Sequence, residues 1–253
     1  MKALVKDFPK QLKDALDLAE KQQLPSKLGD DISHVLIIGL GGSAFGGEIS
    51  RNLMLTHGKV PVSIHRNYSL PSYVNANTLC LLCSYSGNTE ETLDAAELAV
   101  KAGAKCVAIS SGGKLKPFAE QHDIPFIELP GGFPPRAAVG LSFVQQLAVL
   151  TAAGLYAGDF KKDVEESIQL LKAFDEHESV KSLAIKLKGH LPIIYATDAA
   201  DAIAIRLRQQ INENGKQLCW HHIIPEMNHN ELVGWHHPEA LMDQLHVLFL
   251  HTS

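Results

Sequence analysis

The chain has 253 residues, with 23 Lys and Arg against 28 Asp and Glu, which gives a formal net charge of −5. Hydrophobic residues make up 45% and charged residues 20%, a composition that excludes a disordered protein. The mild acidity argues against nucleic acid as a partner. No apolar run approaches the roughly 18 to 20 residues of a membrane span, and the amphipathic start lacks the features of a signal peptide. We therefore expect a cytoplasmic protein of one or two domains, with no membrane partner.

Short apolar runs alternate with helical patterns in the first half of the chain. A repeated strand–helix alternation predicts right-handed crossovers and a parallel sheet with helices on both faces. A long apolar segment at 136–156 predicts a buried helix that closes this unit. The predicted strands are 35–40, 61–65, 79–86, 106–111 and 125–129.

A polar segment after residue 157 predicts a boundary, so we expect one domain at 1–157 and a second at 158–253. The fold class is α/β, with two doubly wound parallel-sheet domains. Because a parallel strand normally continues into a covering helix, we expect the second domain to be incomplete and the chain to be a fragment or a shortened variant. The second domain has a helix to about 188, a strand at 191–198, a helix at 199–214, and strands at 217–223 and 245–253.

The first segment suited to chemistry is GLGGSAFGG (39–47), between a predicted strand and helix. Glycines there let the backbone approach a ligand, and a helix N-terminus favours an anion. Gly39, Gly41 and Ala44 also fit a dinucleotide fingerprint loosely, but the second strand ends in IHRNY, without the acidic residue of that motif. Since Arg66 could hold a 2′-phosphate, an NADP site stays an alternative, as does a tight turn without a ligand.

The second segment is SYSGNTEET (84–92), again between a strand and a helix. Its four hydroxyls surround a glycine at the carboxyl end of a parallel strand, where such folds bind ligands. Hydroxyls and free N–H groups at a helix N-terminus predict a phosphate site, and the alternative is an ordinary helix cap. The hydroxyls belong to Ser84, Ser86, Thr89 and Thr92.

The third segment runs from residue 211 to 235 and contains Glu213 and His229. Glu213 is predicted in the last turn of a helix, where the helix dipole disfavours a carboxylate and makes it a better base. The alternative is that Glu213 is an ordinary solvated glutamate and His229 an ordinary loop histidine. The composition of the segment alone does not single out either residue. Six histidines occur between 221 and 246, but none has the spacing of a zinc site, so we expect no metal.

Five motifs together resemble the bifunctional phosphoglucose/phosphomannose isomerase family, whose members are built from two sugar isomerase (SIS) domains. SYSGNTEET alone would indicate only a SIS domain, and NEN and NHNELVGW narrow the resemblance to this family. It runs from about residue 30 to the end of the sequence. The motifs are GLGGSAFGG, SYSGNTEET, PPRAA (134–138), INENGK (211–216) and PEMNHNELVGW (225–235).

The resemblance implies a role for each site residue. Arg136 would stabilise the enediolate, and Glu213 would move the proton between C1 and C2. His229 would assist ring opening in the active site of the partner subunit, which implies a homodimer. The sugar 6-phosphate would be held by Ser84, Ser86, Thr89 and Thr92, with Gly42 and Ser43 along the adjacent wall.

The implied function is a metal-free aldose–ketose isomerase without a cofactor. It would interconvert glucose 6-phosphate, and also mannose 6-phosphate, with fructose 6-phosphate through a cis-enediol, a reaction of glycolysis and gluconeogenesis. The family pattern continues past this sequence with a lysine and a threonine of the active site, so ring opening and mannose activity stay open. The alternatives are a non-catalytic SIS module that binds sugar phosphates and an NADP-linked oxidoreductase.

Overall fold

The computed structural model describes residues 2–25, 28–174 and 177–250. The chain divides into two compact units, Met1–Ala173 and Phe174–Ser253. The first unit contains helices α1 Lys2–Lys6, α2 Phe8–Ala19, α3 Gly41–His57, α4 Glu90–Lys101, α5 Leu115–Gln121, α6 Val139–Ala152 and α7 Phe160–Ala173. Its strands are β1 His34–Ile38, β2 Val62–His65, β3 Thr78–Cys83, β4 Lys105–Ser110 and β5 Phe126–Glu128.

The five strands of the first unit form the predicted parallel sheet, in the order β2-β1-β3-β4-β5. Strand β1 pairs with β2 on one side and with β3 on the other, so the strand order reverses between β1 and β3. In open α/β sheets, ligands bind outside the carboxyl ends of the strands at such a reversal. The segments at 39–47 and 84–92 both start at this point.

Hydrophobic layers cover both faces of this sheet. Cys83 belongs to one buried cluster, together with Leu141 of α6, and Cys80 belongs to another, together with Ala95 of α4. All six residues of β3 are buried. Because each fully buried Leu or Ile contributes about 1.5–3 kcal/mol, the two layers hold the central strands, and therefore the loops that follow them, in fixed positions.

Helix α7 belongs to the first unit, although the sequence analysis placed its residues in the second domain. Phe160, Val164 and Ile168 are spaced by four residues and are buried in the same cluster as Leu12 and Leu16 of α2. The rest of α7 is polar, which explains why the sequence suggested a linker. By its internal contacts, the first compact unit therefore extends to Ala173.

The second unit is a smaller α/β layer with three parallel strands in the order β7-β6-β8. Its small core includes Ile194, Ala204 and Cys219. The strand predicted at 245–253 is described as far as Leu250, and residues 251–253 lie outside the described residues. No helix in the described part of either unit is long and apolar enough to cross a membrane. The elements are α8 His177–Leu187, β6 Leu191–Thr197, α9 Asp201–Gly215, β7 Trp220–Ile224, α10 Glu226–Asn230, α11 Glu239–Met242 and β8 Leu245–Leu250.

Candidate active site

Glycines bring three loops together at the carboxyl ends of β1 and β3. A Cβ on Gly39 would lie 2.6 Å from the carbonyl oxygen of Cys83, and a Cβ on Gly42 would lie 2.8 Å from that of Pro135. Neither contact leaves room for a side chain. Helix α3 begins at Gly41, which has a φ of +53°, and the residue before it, Leu40, supplies no side-chain cap. The N–H groups of the first turn of α3 are therefore not capped by that side chain.

Ser43, in the first turn of α3, connects the glycine-rich segment 39–47 to the loop after β3. Its side chain is buried, and its Oγ accepts a hydrogen bond from the backbone N–H of Tyr85 at 3.3 Å. This bond links the starts of the two segments that the sequence assigned to the substrate.

The hydroxyls of Ser84 and Thr89 lie beside each other at the start of α4. The buried Ser84 Oγ accepts the N–H of Gly87 at 3.1 Å and lies 2.8 Å from the Oγ1 of Thr89. Thr89 is the N-cap residue of α4, but its side chain makes no capping hydrogen bond. The first-turn N–H groups of α4 are thus not capped by Thr89, an arrangement suited to an anion.

The other two hydroxyls of this loop differ in exposure. Ser86 is exposed, and its Oγ accepts the N–H of Asn88 at 3.3 Å. Thr92 is fully buried, and its Oγ1 has no hydrogen-bond partner among the described residues. Ser86 and the half-exposed Thr89 are accessible to a ligand, whereas Ser84 and Thr92 lie beneath the surface of the loop.

Arg136 lies on the 3₁₀ turn Pro135–Ala137 and is exposed. The tight contact between Gly42 and Pro135 places this turn against the glycine loop. Gln11 of α2, which the sequence analysis did not identify, holds the end of the turn. Its Nε2 donates to the carbonyl of Ala137 at 2.7 Å. The structure therefore brings Arg136 to the same edge of the sheet as the two glycine- and hydroxyl-rich loops.

Arg66, the candidate for an NADP 2′-phosphate, is paired with a buried carboxylate. Its Nη2 donates to Glu48 of α3, which also accepts from the Nε of Arg51 at 2.9 Å. A 2′-phosphate would have to compete with this carboxylate for the Arg66 guanidinium. The pairing therefore argues against the oxidoreductase alternative.

Glu213 lies in the last turn of α9 in the second unit, and its side chain is exposed. Lys216 follows in the left-handed conformation with a φ of 56°, and its Nζ donates to the carbonyl of Glu213 at 2.6 Å. Burial lowers the pKa of the Arg206 guanidinium, and the charge of the Glu213 carboxylate opposes that shift. A cation thus accompanies the carboxylate on the same helix.

His229 is exposed on the short helix α10. The residue after that helix, Glu231, accepts hydrogen bonds from the hydroxyl of Tyr195 and from His222 Nδ1, the latter at 2.6 Å. Trp235 Nε1 donates to the Tyr195 hydroxyl at 2.9 Å. Burial, followed by the bond to Glu231, raises the pKa of Tyr195 to about 12. This network fixes the chain directly after His229, and the sequence analysis did not identify it, although Glu231 and Trp235 lie within NHNELVGW.

Within the first unit the structure brings together Gly42, Ser43, Ser84, Ser86, Thr89, Thr92 and Arg136. Glu213 and His229 belong to the second unit, one before β7 and the other after it. Nowhere in residues 2–25, 28–174 and 177–250 do three or more His, Cys, Asp or Glu side chains form a cluster suited to a metal ion.

Comparisons with known proteins match both units of the chain. A model of the SIS domain matches residues 30–155, and a model of the bacterial phospho-glucose isomerase C-terminal SIS domain matches residues 176–253. The bifunctional phosphoglucose/phosphomannose isomerase of Caldicellulosiruptor bescii is 38% identical over 259 residues, which cover 98% of this chain and 76% of that protein. Its namesake from Aquifex aeolicus is 35% identical over 207 residues, which cover 81% of this chain and 63% of that protein.

Solved structures show the same fold. The structure of tagatose-6-phosphate ketose/aldose isomerase from Escherichia coli matches with a TM-score of 0.67 at 18% identity, covering 98% of this chain and 71% of that chain. At that identity the match concerns the fold alone, and it confirms the predicted α/β architecture. The resemblance inferred from the motifs is confirmed by the relatives and by the two domain models. The chain therefore belongs to the bifunctional phosphoglucose/phosphomannose isomerase family of SIS-domain sugar-phosphate isomerases.

Proposed function

We propose that this chain carries the aldose–ketose isomerase activity after which its relatives are named, converting glucose 6-phosphate and mannose 6-phosphate to and from fructose 6-phosphate. The match spans 76% of one named relative and 63% of another, so the activity of the chain itself is part of the proposal. The observation that carries the proposal is the hydroxyl-lined start of α4, where the N-cap residue Thr89 makes no side-chain capping hydrogen bond.

The phosphate of the substrate would bind at this helix start. Ser86 and Thr89 present accessible hydroxyls, and the first turn of α4 adds N–H groups and the positive end of the helix dipole. The glycine loop, with Gly42 and Ser43, would form the adjacent wall. Because phosphate binding occurs away from the reacting carbons, its binding energy can orient C1 and C2 for reaction.

Glu213 would serve as the base and Arg136 as the electrostatic partner. Isomerisation removes a weakly acidic proton from C2 of the aldose, forms a cis-enediol, and returns a proton to C1. One carboxylate on one face of the enediol can perform both transfers. The negative charge that develops on oxygen needs a fixed cation, and a guanidinium supplies charge and directional donors together. These groups supply the base and the cation that the reaction requires without a metal or a cofactor.

His229 would assist ring opening in the active site of a second subunit. Glu213 precedes β7 and His229 follows it. Gln217, shortly after α9, donates to the carbonyl of Leu187 before β6, which places this end of α9 at the amino ends of the strands. The five residues of β7 span roughly 13 Å at about 3.3 Å per residue, so the two side chains lie at opposite ends of the second sheet. This separation supports a homodimer with composite sites.

The activity can be measured with the chain as it stands. Fructose 6-phosphate is added to the purified protein, and the glucose 6-phosphate and mannose 6-phosphate that form are quantified. Formation of either aldose supports the proposal. Thermal stabilisation by fructose 6-phosphate without any turnover would select the non-catalytic sugar-phosphate module instead, and stabilisation by NADP alone would select the oxidoreductase. As a family of metabolic enzymes fits the cytoplasm, we also infer a cytoplasmic location.

A further inference from the structure

Tyr85 lies between two residues of the proposed phosphate site, but its side chain contacts a different loop. Only 7% of the residue is exposed. Its hydroxyl donates to the carbonyl of Pro130 at 2.8 Å and accepts the N–H of Phe133 at 3.0 Å. Pro130 and Phe133 lie 45 and 48 residues further along the chain than Tyr85, in the loop that leads to the turn carrying Arg136.

The backbone of Tyr85 joins two more loops at the same edge of the sheet. Its N–H donates to Ser43 Oγ at 3.3 Å, in the first turn of α3. Its carbonyl accepts the N–H of Ser111 at 3.0 Å and the Ser111 Oγ at 2.7 Å, in the loop after β4. The polar atoms of Tyr85 thus connect the start of α3, the loop after β4 and the loop before Arg136 to the loop in which Tyr85 lies.

The arginine turn is held at both ends by buried side chains. Tyr85 fixes Pro130 and Phe133, and Gln11 fixes the other end by donating to Ala137 at 2.7 Å and accepting the N–H of Gly140 at 2.9 Å. Only the short segment between these two anchors carries Arg136. The exposed guanidinium is therefore mounted on a turn whose backbone position depends on two hydrogen-bonding side chains.

We propose that Tyr85 is a positioning residue that fixes Arg136 relative to the bound phosphate. The proposal rests on the proposed function, since it takes Arg136 as the cation at the reacting oxygen. The Tyr85 hydroxyl points to the arginine turn and contributes nothing to phosphate affinity. Tyr85 instead sets the distance between the loop that binds the phosphate and Arg136, which stabilises the transition state. A misplacement of about 1 Å at such a group can cost up to about a hundredfold in rate.

The test is Tyr85→Phe, which removes the hydroxyl and keeps the buried ring. We expect kcat to fall about tenfold to a hundredfold. The KM for fructose 6-phosphate and the inhibition constant of inorganic phosphate should stay within about twofold, because the phosphate site keeps all its groups. The matched control is Tyr156→Phe, since the Tyr156 hydroxyl is also buried in the first unit and has no hydrogen-bond partner among the residues described. Its kinetics should equal those of the wild type.

A double-mutant cycle shows whether Tyr85 acts through Arg136. In an Arg136→Lys background, Tyr85→Phe should cause a much smaller fall in kcat, because the positioned group is already gone. Equal effects in both backgrounds, or a wild-type kcat for Tyr85→Phe, would overturn the proposal. Gln11→Met loosens the other end of the same turn and should give the same split between kcat and KM if Tyr85→Phe does not fold.

Hydrogen exchange separates this proposal from the proposed function. In Tyr85→Phe, the amides of residues 131–137 should exchange at least about tenfold faster than in the wild type, with little change over residues 89–101. Unchanged exchange at 131–137 would overturn the positioning role even in an active enzyme. A wild-type chain without isomerase activity would overturn the proposed function and with it the positioning of Arg136 for catalysis by Tyr85.

Discussion

The hydroxyl of Thr89 lies 2.8 Å from that of Ser84 and does not cap the helix that Thr89 begins. A threonine at this position normally bonds a first-turn N–H group, and removing such a cap costs about 1 kcal/mol. Here the Thr89 hydroxyl pairs with the Ser84 hydroxyl in the loop instead. The helix start is left with donors that a phosphate can satisfy.

Replacing both accessible hydroxyls should weaken substrate binding. Ser86→Ala together with Thr89→Ala removes two hydrogen bonds to a charged group, each worth about 1.5–3 kcal/mol, so we expect KM to rise at least about tenfold. The base and the arginine are unchanged, and kcat should therefore fall less than KM rises. Steady-state kinetics with fructose 6-phosphate measures both. Ser167→Ala, on the exposed side of α7, is the control, and an unchanged KM in the double variant would remove the phosphate assignment.

Subunit mixing tests the composite site. Glu213→Gln and His229→Ala should each be nearly inactive as homodimers. If His229 acts across the interface, a mixed dimer contains one site with both native residues, so random exchange of subunits should restore about a quarter of the wild-type activity. Activity is assayed after the two variants are unfolded and refolded together, and each variant refolded alone is the control. No gain on mixing would place both residues in the site of one subunit.

Removal of divalent metals should leave the activity unchanged. The developing negative charge would be stabilised by the guanidinium of Arg136, and the proton would be moved by a carboxylate, so neither step needs a Lewis acid. The measurement is kcat/KM before and after extensive dialysis against EDTA. A loss of activity that zinc or another divalent ion restores would contradict the proposed mechanism.

Stability should decrease as the pH falls below about 6.5, in part because of His34. This histidine begins β1, packs edge to face on Tyr73 at a centroid distance of 4.9 Å, and has a buried Nε2 for which the described residues offer no hydrogen-bond partner. Burial lowers the pKa of His34 below its ordinary value of 6.5. Between the two values the unfolded chain binds a proton that the folded chain does not, so the free energy of unfolding rises with pH in this range and is constant above it.

The comparison is between the thermal midpoints of the wild type and His34→Phe from pH 5 to pH 8. The variant keeps a ring against Tyr73 but cannot be protonated, and its midpoint should fall less on acidification. His122→Phe, at an exposed histidine of the same unit, should retain the wild-type slope. Equal slopes in all three proteins would show that His34 does not contribute.

The sequence predicted the parallel sheet of the first unit because apolar runs of strand length alternate there with helical patterns. The loops that follow β1 and β3 were located for the same reason. Helix α3 begins at Gly41, inside the segment that the sequence analysis placed between a strand and a helix. Gly41 and Gly42 did not indicate a helix because they have low helix propensity. Gly42 is required by its contact with Pro135, a residue 93 positions away, and Gly41 by its φ of +53°.

Contacts between distant segments also explain what the sequence did not predict. Tyr85 and Gln11 have no periodicity or motif that indicates their contacts with Pro130 and Ala137, because those contacts exist only after the sheet has formed. The polar face of α7 concealed the apolar stripe that places it in the first unit. The hydroxyl-rich segment 84–92 was identified from its own residues, whereas the roles of Arg136, Glu213 and His229 came from the family resemblance and remain predictions.

Isomerisation in deuterium oxide tests most directly whether Glu213 moves the proton. Fructose 6-phosphate formed from glucose 6-phosphate by the wild type should carry solvent deuterium at C1, seen by proton NMR, because the carboxyl group exchanges its proton with solvent during part of the turnovers. In Glu213→Gln, isomerisation and exchange should fall together by at least about a hundredfold. The exposed Glu120→Gln should behave as the wild type. A product that never contains deuterium, or a Glu213→Gln variant with the wild-type rate, would contradict the mechanism.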